Sequence, residues 1–327
     1  MWKGNGKKAE KKQLDDKKAT AAEVMVDRLI DWGVSVVFGL PGDGINGLME
    51  ALRQRQEQIR FIQVRHEEAA AFMACGYAKF TGRLGVCLAT SGPGAIHLLN
   101  GLYDAKLDGA PVLAITGQTY HDLLGMHYQQ EVDLLSLFKD VAVFDQQLMG
   151  AGHARSLVDA ACRAALSSKG VAHITCPVDL QEQEVEEDER SRKNVPGHTS
   201  EVWTPPIVVP RATDLQRAAH LLNAGEKTVI LAGQGAIGAR EELERLAELM
   251  AAPIVKPPSP TNATHCRSGY ATCAAMAYGR PGAIVARLPE SEKSWSPRMS
   301  MWRATHVVIV PLSEVMIALS ARSSFSS

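Results

Sequence analysis

A carboxyl placed for acid–base work stands at Glu67, within Arg65-His66-Glu67-Glu68. It follows the apolar run Phe61–Val64 and opens the helical pattern Glu67–Phe80, so it lies where a strand hands over to a helix. In a parallel sheet that edge faces ligands. Ala69, Ala70, Phe72 and Met73 surround it in sequence, which predicts partial desolvation, a setting that suits a proton donor. Acidic residues also favour any helix N-terminus, so position alone assigns no role. His66-Glu67-Glu68 is not a metalloprotease signature, because that chemistry needs a second histidine one turn later and position 70 is alanine. No metal-ligand set is read from the sequence.

Three glycine-rich turns offer a different chemistry. Ser91-Gly92-Pro93-Gly94 joins a strand to a helix, where glycines let backbone approach a ligand and helix amides face an anion. It also serves as a tight structural corner. Ser91 is not a nucleophile elbow, since position 89 is alanine where that motif needs glycine. Leu40-Pro41-Gly42 is a second turn after a strand. Gly233-Gln234-Gly235-Ala236-Ile237-Gly238 follows a strand pattern and opens a helical one, formally a dinucleotide fingerprint. The acidic residue that should end the next strand is missing from Ile254-Val255-Lys256. Gln118, Gln130 and Glu131 fall in one loop region, and His97, His121 and His127 are cleft candidates that structural roles would equally explain.

These residues need a scaffold, and the chain spells one out. Thr20 and Glu23 form a capping box, and Ala22, Met25, Val26, Leu29 and Ile30 follow at helical spacing. Strand Val34–Phe38, a helix over Gly47–Arg55 and strand Phe61–Val64 come next. After helix Glu67–Phe80 come strand Leu84–Ala89, helix Ala95–Lys106, strand Pro111–Thr116, strand Val141–Phe144, helix Ala154–Ser168 and strand Val171–Cys176. Strands apolar throughout, separated by helices, predict an α/β fold with a doubly wound parallel sheet covered on both faces.

Domain boundaries follow composition. Residues 1–18 carry seven lysines without the apolar stretch of a signal peptide and read as a solvated, disordered basic tail. Residues 19–180 form the first domain. Residues 181–210, charged and then proline-rich, read as a linker. Residues 211–256 open a partial second α/β domain. Residues 257–327 hold 12 serines against 8 in the preceding 256 residues, and their acidic residues are only Glu290, Glu292 and Glu314. That break predicts an anomalous tail, out of frame or degenerate, with a divergent but folded extension as the alternative. The net charge of -1 gives no reason to expect nucleic acid, and no run is long enough for a membrane span. Six scattered cysteines without a CxxC pair suit a reducing cytoplasm.

Phe38-Gly39-Leu40-Pro41-Gly42, Arg65-His66-Glu67-Glu68 followed by Gly76-Tyr77-Ala78, Thr90-Ser91-Gly92-Pro93-Gly94 and Ile115-Thr116-Gly117-Gln118 occur in that order. Together they resemble the N-terminal, pyrimidine-binding domain of thiamine-diphosphate enzymes in the pyruvate oxidase and acetolactate synthase branch. Residues 205–256 resemble the start of that family's central domain.

The resemblance implies that Glu67 hydrogen-bonds the aminopyrimidine ring nitrogen of thiamine diphosphate and favours its imino tautomer. It places Pro41, Gly42, Ser91, Gly92, Pro93 and Gly94 along the ring, and Gln130 near a neighbouring subunit's site. Gly233 and Gly235 become candidates for FAD. The substrate implied is a 2-oxo acid such as pyruvate, and the assembly at least a homodimer. The family's magnesium–diphosphate signature is Gly-Asp-Gly followed by paired asparagines, but residues 65–72 hold no asparagine. Gly42-Asp43-Gly44 is therefore read as a turn. The expectation is a truncated chain whose magnesium and diphosphate contacts come from elsewhere and which is inactive alone. The alternatives are a split enzyme completed by a partner chain and a non-catalytic remnant.

Overall fold

Thr20 starts the first helix through its side chain. Its Oγ1 accepts from the Glu23 amide at 3.2 Å, while Glu23 Oε2 accepts from the Thr20 amide at 2.9 Å. Helix α1 (Ala21–Asp31) then buries Ala21, Ala22, Met25, Val26 and Leu29 on one face. This geometry belongs to a computed structural model, which describes residues 18–185, 191–195, 203–204, 209–225, 228–236, 238–255, 285–286 and 306–308. They fall into two compact units, Met1–Pro205 and Pro206–Ser327.

In the first unit α1 leads into β1 (Val36–Gly39), α2 (Asn46–Gln54), β2 (Arg60–Gln63), α3 (Glu67–Thr81), β3 (Gly85–Ala89) and α4 (Pro93–Asp108). The run continues through β4 (Val112–Gln118), α5 (Leu134–Phe138), β5 (Ala142–Gln147), α6 (Ala154–Ser168), β6 (Val171–Pro177) and α7 (Val178–Gln181). The six strands pair in parallel in the order β2-β1-β3-β4-β6-β5. Alternate strand residues feed two cores. Val37, Val86, Leu88, Leu113 and Ile115 pack with α1, α2 and α6. Val36, Phe38, Cys87, Ala89, Val112 and Ala114 pack with α3, α4 and α5. The inner strands β1, β3, β4 and β6 are buried along their whole length and mostly apolar, whereas the edge strands β2 and β5 leave Arg60, Gln63 and Gln146 exposed.

α3 and α4 run side by side. A Cβ added at Gly101 would lie 2.6 Å from the Phe72 nitrogen and 2.7 Å from Ala71 Cβ, so this approach requires glycine. Further along, Lys79 Nζ donates to Asp104 at 2.7 Å and Cys75 Sγ to Asp104 at 3.1 Å.

Most element boundaries lie within two residues of those the sequence predicts. The first domain, however, reaches past position 180. Gln181 is fully buried, the Ala21 amide donates to Gln183 at 2.9 Å, and the Val185 amide donates to Ala19 at 2.8 Å. Residues 181–185 thus belong to the first unit, because their backbone completes the start of α1. Of the predicted basic tail, only Lys18 falls among the described residues.

The second unit holds α8 (Ala212–Ala224), β7 (Thr228–Leu231), α9 (Arg240–Met250) and β8 (Ile254–Val255), with a small core of Ile230, Leu243, Leu246 and Ala252. Two short strands, β9 (Val285–Ala286) and β10 (His306–Val308), complete a sheet in the order β8-β7-β10-β9. The remainder of the tail, and the question of its frame, lie outside the described residues. Among the described residues no helix is long and apolar enough to cross a membrane.

The first unit is pinned by a buried charge cluster. Asp159 Oδ1 accepts from Arg28 Nε at 3.0 Å and from Trp32 Nε1 at 2.8 Å, and also pairs with Arg28 Nη2. Removing the carboxylate takes away the buried partner of the Arg28 guanidinium and leaves it the exposed Asp31, which accepts from Nη1 at 2.8 Å. Asp159→Ala should cost about 3–5 kcal/mol in urea unfolding, while Glu50→Ala, which breaks the exposed pair with Arg53, should cost under about 1 kcal/mol. Equal losses would overturn this assignment.

Candidate functional site

The strand order reverses between β1 and β3, which opens a crevice at the strands' C-terminal ends. The turn after β1 meets the turn after β3 there. The Gly44 amide donates to Thr90 Oγ1 at 3.1 Å, and a Cβ at Gly42 would lie 2.6 Å from Thr90 Cβ. Pro41 is exposed at the rim.

Glu67 enters this region from the first turn of α3. Its N-cap, His66, accepts from the Glu68 amide through Nδ1 at 3.3 Å, which fixes the start of the helix. Glu67 is 7% exposed, and its Oε2 pairs with His97 Nδ1 at 3.0 Å. Its Oε1 lies beside Gly94, where a Cβ would sit 3.2 Å away. The desolvation predicted from Phe72 and Met73 has a different source, because both side chains are exposed on the outer face of α3. Burial comes from α4 and the turn before it.

Ser91 and Gly92 form that turn, and Pro93 and Gly94 open α4. Ser91 is buried and its Oγ donates to Gln130 Oε1 at 3.2 Å. Gly92 adopts φ +60°, and a Cβ there would meet the Gln130 carbonyl oxygen at 2.6 Å. Pro93 begins α4, where a missing N–H costs nothing. Gln130 itself stands at φ +61° and His127 at φ +56°, so the loop holds two non-glycine residues in the left-handed region. Glu131 braces it by accepting from the Tyr128 amide at 3.0 Å and from the Gly125 amide, contacts that hold its carboxyl below the usual range. Gln118 anchors the loop's far end, donating from Nε2 to the Val132 carbonyl at 2.8 Å.

Residues 19–137 match the family model described as thiamine pyrophosphate enzyme, N-terminal TPP binding domain, and residues 215–265 match the central domain of the same enzymes. The chain belongs to the thiamine pyrophosphate enzyme family. YdaP of Bacillus subtilis (strain 168), whose given name describes it as thiamine pyrophosphate-containing, is 46% identical over 236 residues, covering 72% of this chain and 40% of that protein. The pyruvate oxidase of Lactiplantibacillus plantarum is 36% identical over 245 residues (75% and 40%). The acetolactate synthase of Mycobacterium bovis is 35% identical over 239 residues (72% and 38%). The chain thus spans about two fifths of the length of these relatives.

As a thiamine pyrophosphate domain, the first unit fits a pyrimidine ring on its own observations. A buried carboxylate lies on the ligand edge with one oxygen held by His97 and the other facing a residue without a side chain. Asp43 of Gly42-Asp43-Gly44 is exposed and accepts from the Gly44 amide at 3.0 Å, which is the geometry of a turn. Gly233 and Gly235 are arranged otherwise than the sequence suggests. A single 3-10 turn, Gln234–Ala236, follows the strand, and α9 begins only at Arg240 with Glu241 and Glu242 in its first turn. Among the described residues no helix begins directly at those glycines, which is not the arrangement of a dinucleotide fingerprint.

Neither His97 as the partner of Glu67 nor Thr90 at the centre of the two turns was legible from spacing. Their roles follow from the register between parallel helices and strands, which spacing does not encode. Of the other histidines, His127 is exposed and His121 pairs through its ring and amide with Asp179. That pairing raises the His121 pKa.

A second polar constellation was also missed. Thr116 Oγ1 meets His173 Nε2 at 2.8 Å, and His173 Nδ1 meets Asp145 Oδ1 at 2.7 Å. The order resembles a catalytic triad, but Thr116 and His173 are fully buried and Phe138 stacks on the imidazole with centroids 3.7 Å apart. No substrate reaches it, and it ties β4, β6 and β5 together.

Burial pushes the His173 pKa down, and the Asp145 carboxylate only partly opposes this. The unfolded chain therefore binds a proton more readily than the folded one, so stability falls as pH drops below about 6.5. Half-buried His153, whose pKa desolvation also lowers, adds the same sign. Urea midpoints should fall from pH 7.5 to 5.5, with a slope of up to about 1.4 kcal/mol per pH unit from His173. The slope should lessen in His173→Gln, and an unchanged slope would refute the assignment.

Proposed function

We propose that this chain supplies the pyrimidine-facing half of a thiamine-diphosphate-dependent active site. Its reaction class is decarboxylation of a 2-oxo acid of the pyruvate type, with transfer of the two-carbon unit to an electron acceptor or a second carbonyl. The observation that carries this is Glu67, buried on the sheet's ligand edge with Oε2 tied to His97 and Oε1 beside Gly94. When bound, thiamine diphosphate supplies the electron sink for breaking the bond next to the 2-oxo group. Glu67 would hold the pyrimidine ring nitrogen and exchange a proton there. His97 fixes the rotamer of that carboxylate. Pro41, Gly42, Ser91, Gly92, Pro93 and Gly94 would line the ring, and Gln130, held by Ser91, stands at the mouth.

The lining residues include no basic side chain and no set of metal carboxylates. The magnesium and diphosphate contacts are therefore assigned to another domain or a partner chain, and these 327 residues alone do not turn over pyruvate. A homo-oligomer is favoured by Phe72, Met73, Phe80, Ile96, Tyr103 and Leu107, large apolar or aromatic side chains exposed along α3 and α4. FAD is not assigned to Gly233 and Gly235, whose arrangement does not fit it.

The test is amide exchange of the chain with and without thiamine diphosphate and magnesium, followed by mass spectrometry. Residues 64–73 and 90–98 should gain protection, and Glu67→Ala should abolish the gain while leaving α1 and β6 as protected as before. Protection elsewhere only, or none at saturating cofactor, would overturn the reading. Measurable pyruvate consumption by the lone chain would overturn the assignment of the diphosphate contacts to another segment.

A further inference from the structure

His66, Glu67 and His97 converge on one point: a ligand atom from each lies within 4.8 Å of the other two. Two elements make the convergence. His66 caps α3 and Glu67 begins it, while His97 comes from the second turn of α4. The imidazoles stack with centroids 4.5 Å apart and an interplanar angle of 26°, so both rings stand on one side of the carboxylate. We propose that these three side chains form a site for one divalent transition-metal ion of the zinc class, and that the bound ion takes up the carboxylate of Glu67.

The donor set selects the ion. Two imidazole nitrogens and one carboxylate oxygen favour zinc, cobalt, nickel or copper over magnesium and calcium, which prefer oxygen alone. Three protein ligands leave a fourth tetrahedral position for water. Bonds of about 2.0–2.1 Å place tetrahedral ligand atoms about 3.3 Å apart, so the 3.0 Å Glu67–His97 pair needs to open only slightly. Access is open: the His66 and His97 side chains are 53% and 44% exposed, while Glu67 beneath them is held in place. His66 Nδ1 is engaged by the Glu68 amide, which leaves Nε2 to coordinate. Among the described residues the thiols compete poorly. Cys75, Cys87, Cys162 and Cys176 are buried, and desolvation pushes Cys75 up to about 12 and the others higher.

The site needs no thiamine compound and so goes beyond the proposed function. Glu67 is common to both, so ion and cofactor exclude one another. The probe is the metal alone, and failure here leaves the thiamine reading intact.

The test titrates the full chain, stripped with chelator, with cobalt(II) by visible absorption and with zinc(II) against a chromophoric chelator. One equivalent should bind with nitrogen–oxygen tetrahedral bands. His66→Ala and His97→Ala should each weaken zinc by about 10-fold or more, since losing even an outer-sphere partner costs that much. His121→Ala, in the separate His121–Asp122–Asp179 cluster, should leave the affinity unchanged. Three results would overturn the proposal: affinity unmoved by both α3/α4 histidine variants, a thiolate charge-transfer band in the cobalt spectrum, or displacement of zinc by millimolar magnesium.

Discussion

Gly101 brings α4 so close to α3 that a single methyl group there would fall 2.6 Å from the Phe72 nitrogen. Everything at the ligand edge is set by that approach. With the two helices in contact at Ala71 and Gly101, one turn back places His97 against Glu67, and the first turn of α4 places Gly94 beside the same carboxylate. The residues on this seam are small because two helical backbones can meet only where side chains are absent or are single methyls. A seam of this kind sets the distance at which His97 meets the Glu67 carboxylate, so packing places the polar pair that holds its rotamer.

Much of this architecture could be read in the chain itself. Strands buried on both faces leave unbroken apolar runs, and helices covering them keep the 3.6-residue period, so β1 to β6 and the long helices stand out. The turns were legible because glycine and proline mark them. Helix ends slipped by a residue or two, as at α4, where Pro93 rather than Ala95 begins the helix. The four-residue α7 is too short to show a period. Charge and proline content placed Gln181 in a linker, although its side chain is wholly inside.

What the sequence withheld was pairing. Glu67 and His97 are thirty positions apart, and Thr116, His173 and Asp145 sit on three strands whose registers no local pattern specifies. Buried polar groups of this kind are satisfied across elements, and their partners emerge only once the sheet order is known. Asp159 shows the same dependence, since its partners Arg28 and Trp32 come from the opposite end of the domain's sequence. The candidate site was legible at its glycines and at Glu67, which local rules mark, and illegible at the histidines that give Glu67 its neighbours.

Gln181 offers one last consequence. Its carboxamide donates to the Gly44 carbonyl and to the Cys176 carbonyl, both at 2.9 Å, and accepts from the Leu48 amide at 3.3 Å. The residue where the polypeptide leaves the sheet is thus clasped to the underside of the turn that follows β1. A pull on the segment beyond it bears first on the backbone bonds of Val185 and Gln183 to Ala19 and Ala21, and then on these three, which act in parallel on one side chain. The exit of the domain is in that sense a mechanical anchor for its binding edge, with Gln181 as the last hold before the turn.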